Sequence, residues 1–182
     1  MPFGRLFDRK GRRRRQAVAR LYASVLERAR DPWLYAEGGV PDTFDGRFEM
    51  MIWHLAPIAL RLRDADAEAK LFSQDLFDGF LNDMDRSMRE AAVGDIAIPK
   101  RLKKMVRVWF GRIRALEEIE RGGIEAAALA PVLERNLYPD TEPPALEALA
   151  ERLAAYWRRV AATPTERLAT SALPEIRTEE AA

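Results

Sequence analysis

Apolar residues recur every three or four positions along most of this chain, with charged residues between them. Ala17, Leu21, Val25 and Ala29, flanked by Val18, Tyr22 and Leu26, form one broad apolar face, the mark of an amphipathic helix. That helix is expected to stop near Asp31-Pro32, since proline disfavours helical dihedrals in the residue before it. The turn-rich stretch Glu37–Arg47 follows, with Asp42 or Thr43 placed to begin the next helix. Phe48, Met51, Ile52, Leu55, Ile58, Ala59 and Leu62 give that helix its face, and Pro57 within it is expected to loosen or bend it. Leu76, Phe77, Phe80, Leu81, Met84 and Met88 mark a further helix, with Gly94 as its stop. Ile98, Leu102, Met105, Val106, Trp109, Ile113 and Leu116 mark the one after it, broken by Gly122-Gly123. A shorter helix over Ala126–Arg135, a loop over Asn136–Pro144 and a helix over Ala145–Ala161 complete the pattern. No strand pattern and no internal repeat accompanies these segments. The fold class expected is all-α, a single-domain bundle of about six or seven helices. The bundle spans 17–162, after a basic N-terminal arm over 1–16 and before a loosely ordered tail over 163–182.

A length of 182 residues fits one domain and can bury a core without a disulfide or metal staple. Charge changes the picture more. A formal net charge of +1 conceals strong segregation. Residues 1–30 hold ten Lys or Arg against Asp8 and Glu27; residues 64–95 hold nine acids against Lys70, Arg86 and Arg89. Residues 96–114 then carry seven cations and no acid. There is no cysteine, which excludes disulfides, thiolate zinc sites and cysteine nucleophiles. The longest apolar run, Met50–Leu60, is interrupted by His54 and is far short of the about 20 residues a spanning helix needs. The basic start lacks the apolar stretch of a secretory signal. A cytoplasmic protein is expected, able to touch the inner face of a membrane peripherally.

The acidic and basic blocks meet at the turn between Met88 and Ile98. Helical spacing lines up Asp78, Asn82, Asp85 and Arg89, with Asp85 and Arg89 a favourable acid-before-base pair. Lys100, Lys103, Lys104, Arg107 and Arg114 project away from Leu102, Met105, Trp109 and Ile113. Pro99 suits a first helical turn, where its missing N–H costs nothing. Lys100 and Arg101 at the same end oppose the helix dipole and ask for an acid such as Asp95, or a partner. Such charges can close on each other, hold a catalytic group or shape a partner surface, and a solvated rim on a packed hairpin is the plain reading.

Catalysis has little support. Asp83 and Asp85 lie about 200° apart around a helix and cannot readily chelate one ion. Asp78, Asn82 and Asp85 share a face that could grip a hard cation, but no histidine or glycine-rich phosphate loop joins them. No enzyme activity, metal or cofactor is therefore expected. The lone His54 reads as a packed, hydrogen-bonded residue. Haem between His54 and Met50 is disfavoured, because both sit on one helix face while axial ligands approach from opposite sides. Arg12, Arg13, Arg14 and Arg15, and the Lys100–Arg114 face, could contact phosphates with strong salt dependence. Without interleaved aromatics or a groove-reading motif, ribosomal RNA or anionic lipid fits them better than sequence-specific nucleic acid, and an unstructured solubilising arm is the plain alternative.

The run DMDRSMREAAVGDIAIPKRLKKMVRVWFGR, Asp83–Arg112, resembles the signature of the ubiquinol–cytochrome c chaperone family. Leu21–Arg63 resembles the same family's opening region. The ordered combination of Val-Pro-Asp-Thr, Gly-Arg-Phe-Glu, Asp-Met-Asp, Arg-Glu, Val-Gly-Asp and Pro-Lys is specific where each alone would be weak. The family motif falls on Asp83, Asp85, Arg89, Glu90, Gly94, Asp95, Pro99, Lys100, Phe110, Gly111 and Arg112. The resemblance implies a helical, non-catalytic assembly factor for the cytochrome bc1 complex that binds newly made or unassembled cytochrome b. Mitochondrial members act near the ribosomal exit with a small partner subunit; this chain, lacking a serine-rich presequence, looks like a bacterial member. The expected client surface is a groove between the acidic and basic helices. Its charged walls are Asp78, Asp83, Asp85, Arg89, Glu90, Asp95, Lys100, Lys103, Lys104, Arg107 and Arg112. Met84 and Met88, which adapt to varied shapes or else fill core gaps, are its floor.

Overall fold

The computed structural model describes residues 3–139 and 141–169, with side chains from residue 9 onward. These form an all-α bundle of eight helical segments: α1 (Phe3–Ala29), α2 (Pro32–Ala36), α3 (Phe44–Arg63), α4 (Ala67–Glu90), α5 (Ile98–Gly122), α6 (Ala126–Leu137), α7 (Leu146–Ala162) and α8 (Thr165–Leu168).

Helix α3 is the hub, packing against α1, α4, α5, α6, α7 and α8. Its run from Phe48 to Ile58 is buried on every side, as a helix apolar all round must be. Thr43 caps it, its hydroxyl accepting from the Gly46 N–H at 3.1 Å. Gly46 is pressed against the loop so closely that a methyl there would collide with the Pro41 carbonyl oxygen. α3 is continuous through the buried Pro57. Burial of this segment offsets the about 3 kcal/mol that an interior proline costs. The remaining long helices each turn one apolar stripe to α3: Leu21 and Val25 from α1, Phe72, Leu76 and Phe80 from α4, Trp109 and Leu116 from α5, Leu153 and Trp157 from α7.

Four boundaries differ from the sequence expectation. α1 starts at Phe3, so residues 3–16 of the basic arm are helix continuous with the bundle. Asp31-Pro32 ends α1 and at once begins α2, with Asp31 accepting from the Trp33 N–H at 2.9 Å and Pro32 in the first turn. α4 is stopped by Ala92, which takes the left-handed conformation (φ 55°), and not by Gly94. The Val93 N–H bonds the Met88 carbonyl and the Ala92 N–H bonds the Arg89 carbonyl, closing a Schellman-type end on a residue that prefers not to adopt it. Beyond Thr163 a further helical turn, α8, seats a buried Leu168 against α3; residues 170–182 of the expected tail lie outside the described residues.

Candidate functional site

The acidic helix α4 and the basic helix α5 do pack as a hairpin, but on aromatic rings. Phe77 lies 5.1 Å from Trp109 and 6.1 Å from Phe110, and Phe80 lies 5.8 Å from both Trp109 and Phe48. Each such ring pair is worth about 0.5–1.5 kcal/mol beyond its burial. These rings fill the space in which a charge-walled groove was expected. Met84 and Met88 are buried in the core beneath them and offer no accessible floor.

The charges go elsewhere. Arg89 donates to Asp85 at 2.8 Å and to Asp95 at 2.7 Å, so one guanidinium clamps the end of α4 to the turn. It also lowers the Asp85 carboxyl below its usual range, chiefly through the hydrogen bond. Asp95 is thus engaged by Arg89 and not by Lys100. Asp83 is buried: it accepts from Arg86 on its own helix and from the Tyr22 hydroxyl of α1 at 3.0 Å. Burial first, and then the Asp83 charge, push the Tyr22 phenol far up. Asp75 meets Arg14 of α1 at 2.7 Å, and Arg14 reaches Glu68 at 3.8 Å. Asp78 faces the same α1–α4 seam beside Arg15. The acids of α4 therefore serve α1 and the turn. Glu90 is exposed near Arg86. Arg13 and Arg15 remain exposed, and Arg12 is engaged within the protein.

The cations of α5 divide between two faces. Lys100, Lys103, Arg107 and Arg114 are exposed and make no ion pair with a described residue. Phe110 stands among them 60% exposed, and Ile96 at the turn is 97% exposed. On the other face, Arg101, Lys104 and Arg112 follow one another at helical spacing toward α3 and α6. There Arg112, only 9% exposed, forks onto Glu49 of α3, 6% exposed, with Nε–Oε2 3.1 Å and Nη2–Oε1 2.5 Å. Burial pushes the Glu49 carboxyl up, against the opposing pull of Arg112.

A family model described as ubiquinol-cytochrome C chaperone matches residues 36–175, which include α3 to α7 and the whole α4–α5 hairpin. The chain belongs to the ubiquinol–cytochrome c chaperone family. A solved structure, the Cbp3 homolog from Brucella abortus, is 31% identical, with a TM-score of 0.83 over 95% of this chain and 97% of that one. No curated protein matches by sequence. The family resemblance read from the sequence thus agrees with both comparisons, as does the all-α bundle. Two family strings meet in space: Gly-Arg-Phe-Glu ends at Glu49, and the Trp-Phe-Gly-Arg stretch of α5 ends at its partner Arg112.

Glu49, Tyr22, Asp75, Arg101 and Arg135 were not among the candidates. For Glu49 a signal existed: it is an acid inside an otherwise apolar helix, a position that demands a partner. Among the described residues no cluster of three or more His, Asp or Glu could hold a metal, and no helix is long and apolar enough to cross a membrane.

Proposed function

We infer that this chain is a non-catalytic assembly chaperone that binds newly made or unassembled cytochrome b and supports assembly of the cytochrome bc1 complex. Membership of the ubiquinol–cytochrome c chaperone family over residues 36–175 carries the reading. The open face of α5 supports it. Phe110 and Ile96 stand exposed beside Lys100, Lys103 and Arg107, and apolar side chains rimmed by charge can cover a client's apolar segment reversibly. Within the expected set, Asp85, Arg89, Glu90, Asp95, Lys100, Lys103 and Arg107 are wholly or partly exposed, whereas Met84 and Met88 are buried, Asp83 faces α1 and Arg112 faces α3. The client would be met from the cytoplasmic side of the membrane, near the ribosome exit or on anionic lipid, without sequence-specific nucleic-acid contact.

Affinity capture of the tagged full chain from membranes tests this. Cytochrome b is expected to co-purify, to be lost with folded Lys103→Glu/Arg107→Glu/Phe110→Ser, and to weaken with Asp85→Lys/Lys100→Glu. Capture that brings down no cytochrome b with the unaltered chain would sink the reading. Capture that is unchanged in these folded variants would be inconsistent with the assigned face and would move the site elsewhere.

A further inference from the structure

Beside the Glu49–Arg112 pair, α3, α5 and the end of α6 enclose a cleft of about 610 Å³, within the roughly 300–1,000 Å³ usual for small-molecule sites. Its lining divides by chemistry. Arg101, Lys104 and Arg135 stand at its rim, and none makes an ion pair with a described residue. Arg112 lies at its base, nine-tenths buried. A guanidinium has five N–H donors, and Glu49 engages only Nε and Nη2. Nη1 makes no hydrogen bond with a described residue. Against these four cations the cleft holds two acids, Glu49, already occupied by Arg112, and the exposed Asp45. The rest of the lining is the apolar Phe44, Phe48, Met105 and Val108 together with the polar Thr43 and Asn136.

An open concavity with unspent cationic donors at one end and apolar side chains along its wall selects a particular ligand chemistry. A small inorganic anion would leave the apolar wall wet; an uncharged oil would leave Arg112 unsatisfied. We propose that this cleft binds an amphipathic anion, a carboxylate or phosphate on an apolar body, with its head at Arg112 and the rim cations and its body against Phe44, Phe48, Met105 and Val108. The fork with Glu49 holds the Arg112 plane still, so the remaining N–H groups are already aimed when the ligand arrives. This site faces away from the α5 surface assigned to the client, and the inference stands independently of that reading.

Calorimetric titration of the full chain with dodecanoate and with dodecyl phosphate, below their micelle concentrations, tests it. One-to-one binding is expected for both, with dodecanol and inorganic phosphate each at least tenfold weaker. The exposed triple variant Arg101→Gln/Lys104→Gln/Arg135→Gln should keep the fold, read by circular dichroism, and lose at least tenfold in affinity. Glu49→Gln, which keeps an acceptor for Arg112 but removes the competing charge, should bind several-fold tighter. A source in the bilayer is distinguished by co-sedimentation with phosphatidylglycerol and phosphatidylcholine vesicles. If the triple variant loses only vesicle binding while dodecanoate binding is unaffected, the cleft is not the site and the proposal fails. Equal affinity for dodecanol, or no one-to-one binding to either anion, overturns it as well.

Discussion

Arg14 of α1 ends on Asp75 of α4 at 2.7 Å, whereas Lys100, Lys103 and Arg107 of α5 end in solvent. Both helices are rich in cations, and α4 lies against both of them. It turns acids toward α1, through Asp75 and Asp83, and rings toward α5, through Phe77 and Phe80. A basic helix facing a ladder of acids becomes part of the scaffold. One held by packed rings can hold its place while its charges stay free for other molecules. Local sequence does not separate the two roles; the partner helix does.

The largest expected effect breaks the buried ion pair of α5. Arg112→Ala leaves Glu49 buried without a counter-charge and should cost about 3–5 kcal/mol of stability in urea unfolding. Glu49→Leu/Arg112→Met should recover most of it, since apolar replacement of a buried pair is often neutral. If Arg112→Ala is as stable as the parent, the pair contributes nothing to the fold.

Acid probes the buried side of the same contrast. His54 is enclosed in α3, its Nδ1 2.8 Å from the Met50 carbonyl, and burial lowers its pKa from 6.5 to about 4. Between those values the unfolded chain takes up a proton that the folded one resists, so stability falls as pH drops through the window. The full loss is about 3 kcal/mol, reached near pH 4. Urea midpoints between pH 7 and 4 should show this slope, and His54→Gln should flatten it.

The smallest effects compare the two basic helices directly. Arg14→Ala should cost about 1 kcal/mol, the upper range for a partly exposed pair, and Lys103→Ala/Arg107→Ala less than about 0.5. Equal costs would erase the distinction between a closed and an open basic helix.

The long helices were legible because their signals are local. Leu102, Met105, Trp109 and Leu116 sit at a spacing only a helix satisfies, and Thr43 and Gly123 mark ends by their own chemistry. Asp31-Pro32 was legible as a stop and silent as a start, since one dipeptide performs both tasks. Residues 3–16 showed arginines and little apolar face, so nothing nearby announced that Arg14 would be anchored on a helix 61 residues away. The candidate surface was harder for the same reason. Arg112 and Glu49 are 63 residues apart, and Tyr22 and Asp83 are 61 apart. Periodicity tells which residues share a face; it does not tell which face meets which. The space of the expected groove is taken by Phe77, Phe80 and Trp109, whose spacing marks them as inward-facing and leaves open which helix they meet.

The indole of Trp109 packs at a tilt against Phe77, which in turn touches the exposed ring of Phe110. Trp53 and Trp157 sit deep in the interior and Trp33 lies beneath Arg152 on another side. Whatever lands on the outer ring presses on a fluorophore one layer below, so the chain carries a dye-free optical gauge of its own occupancy.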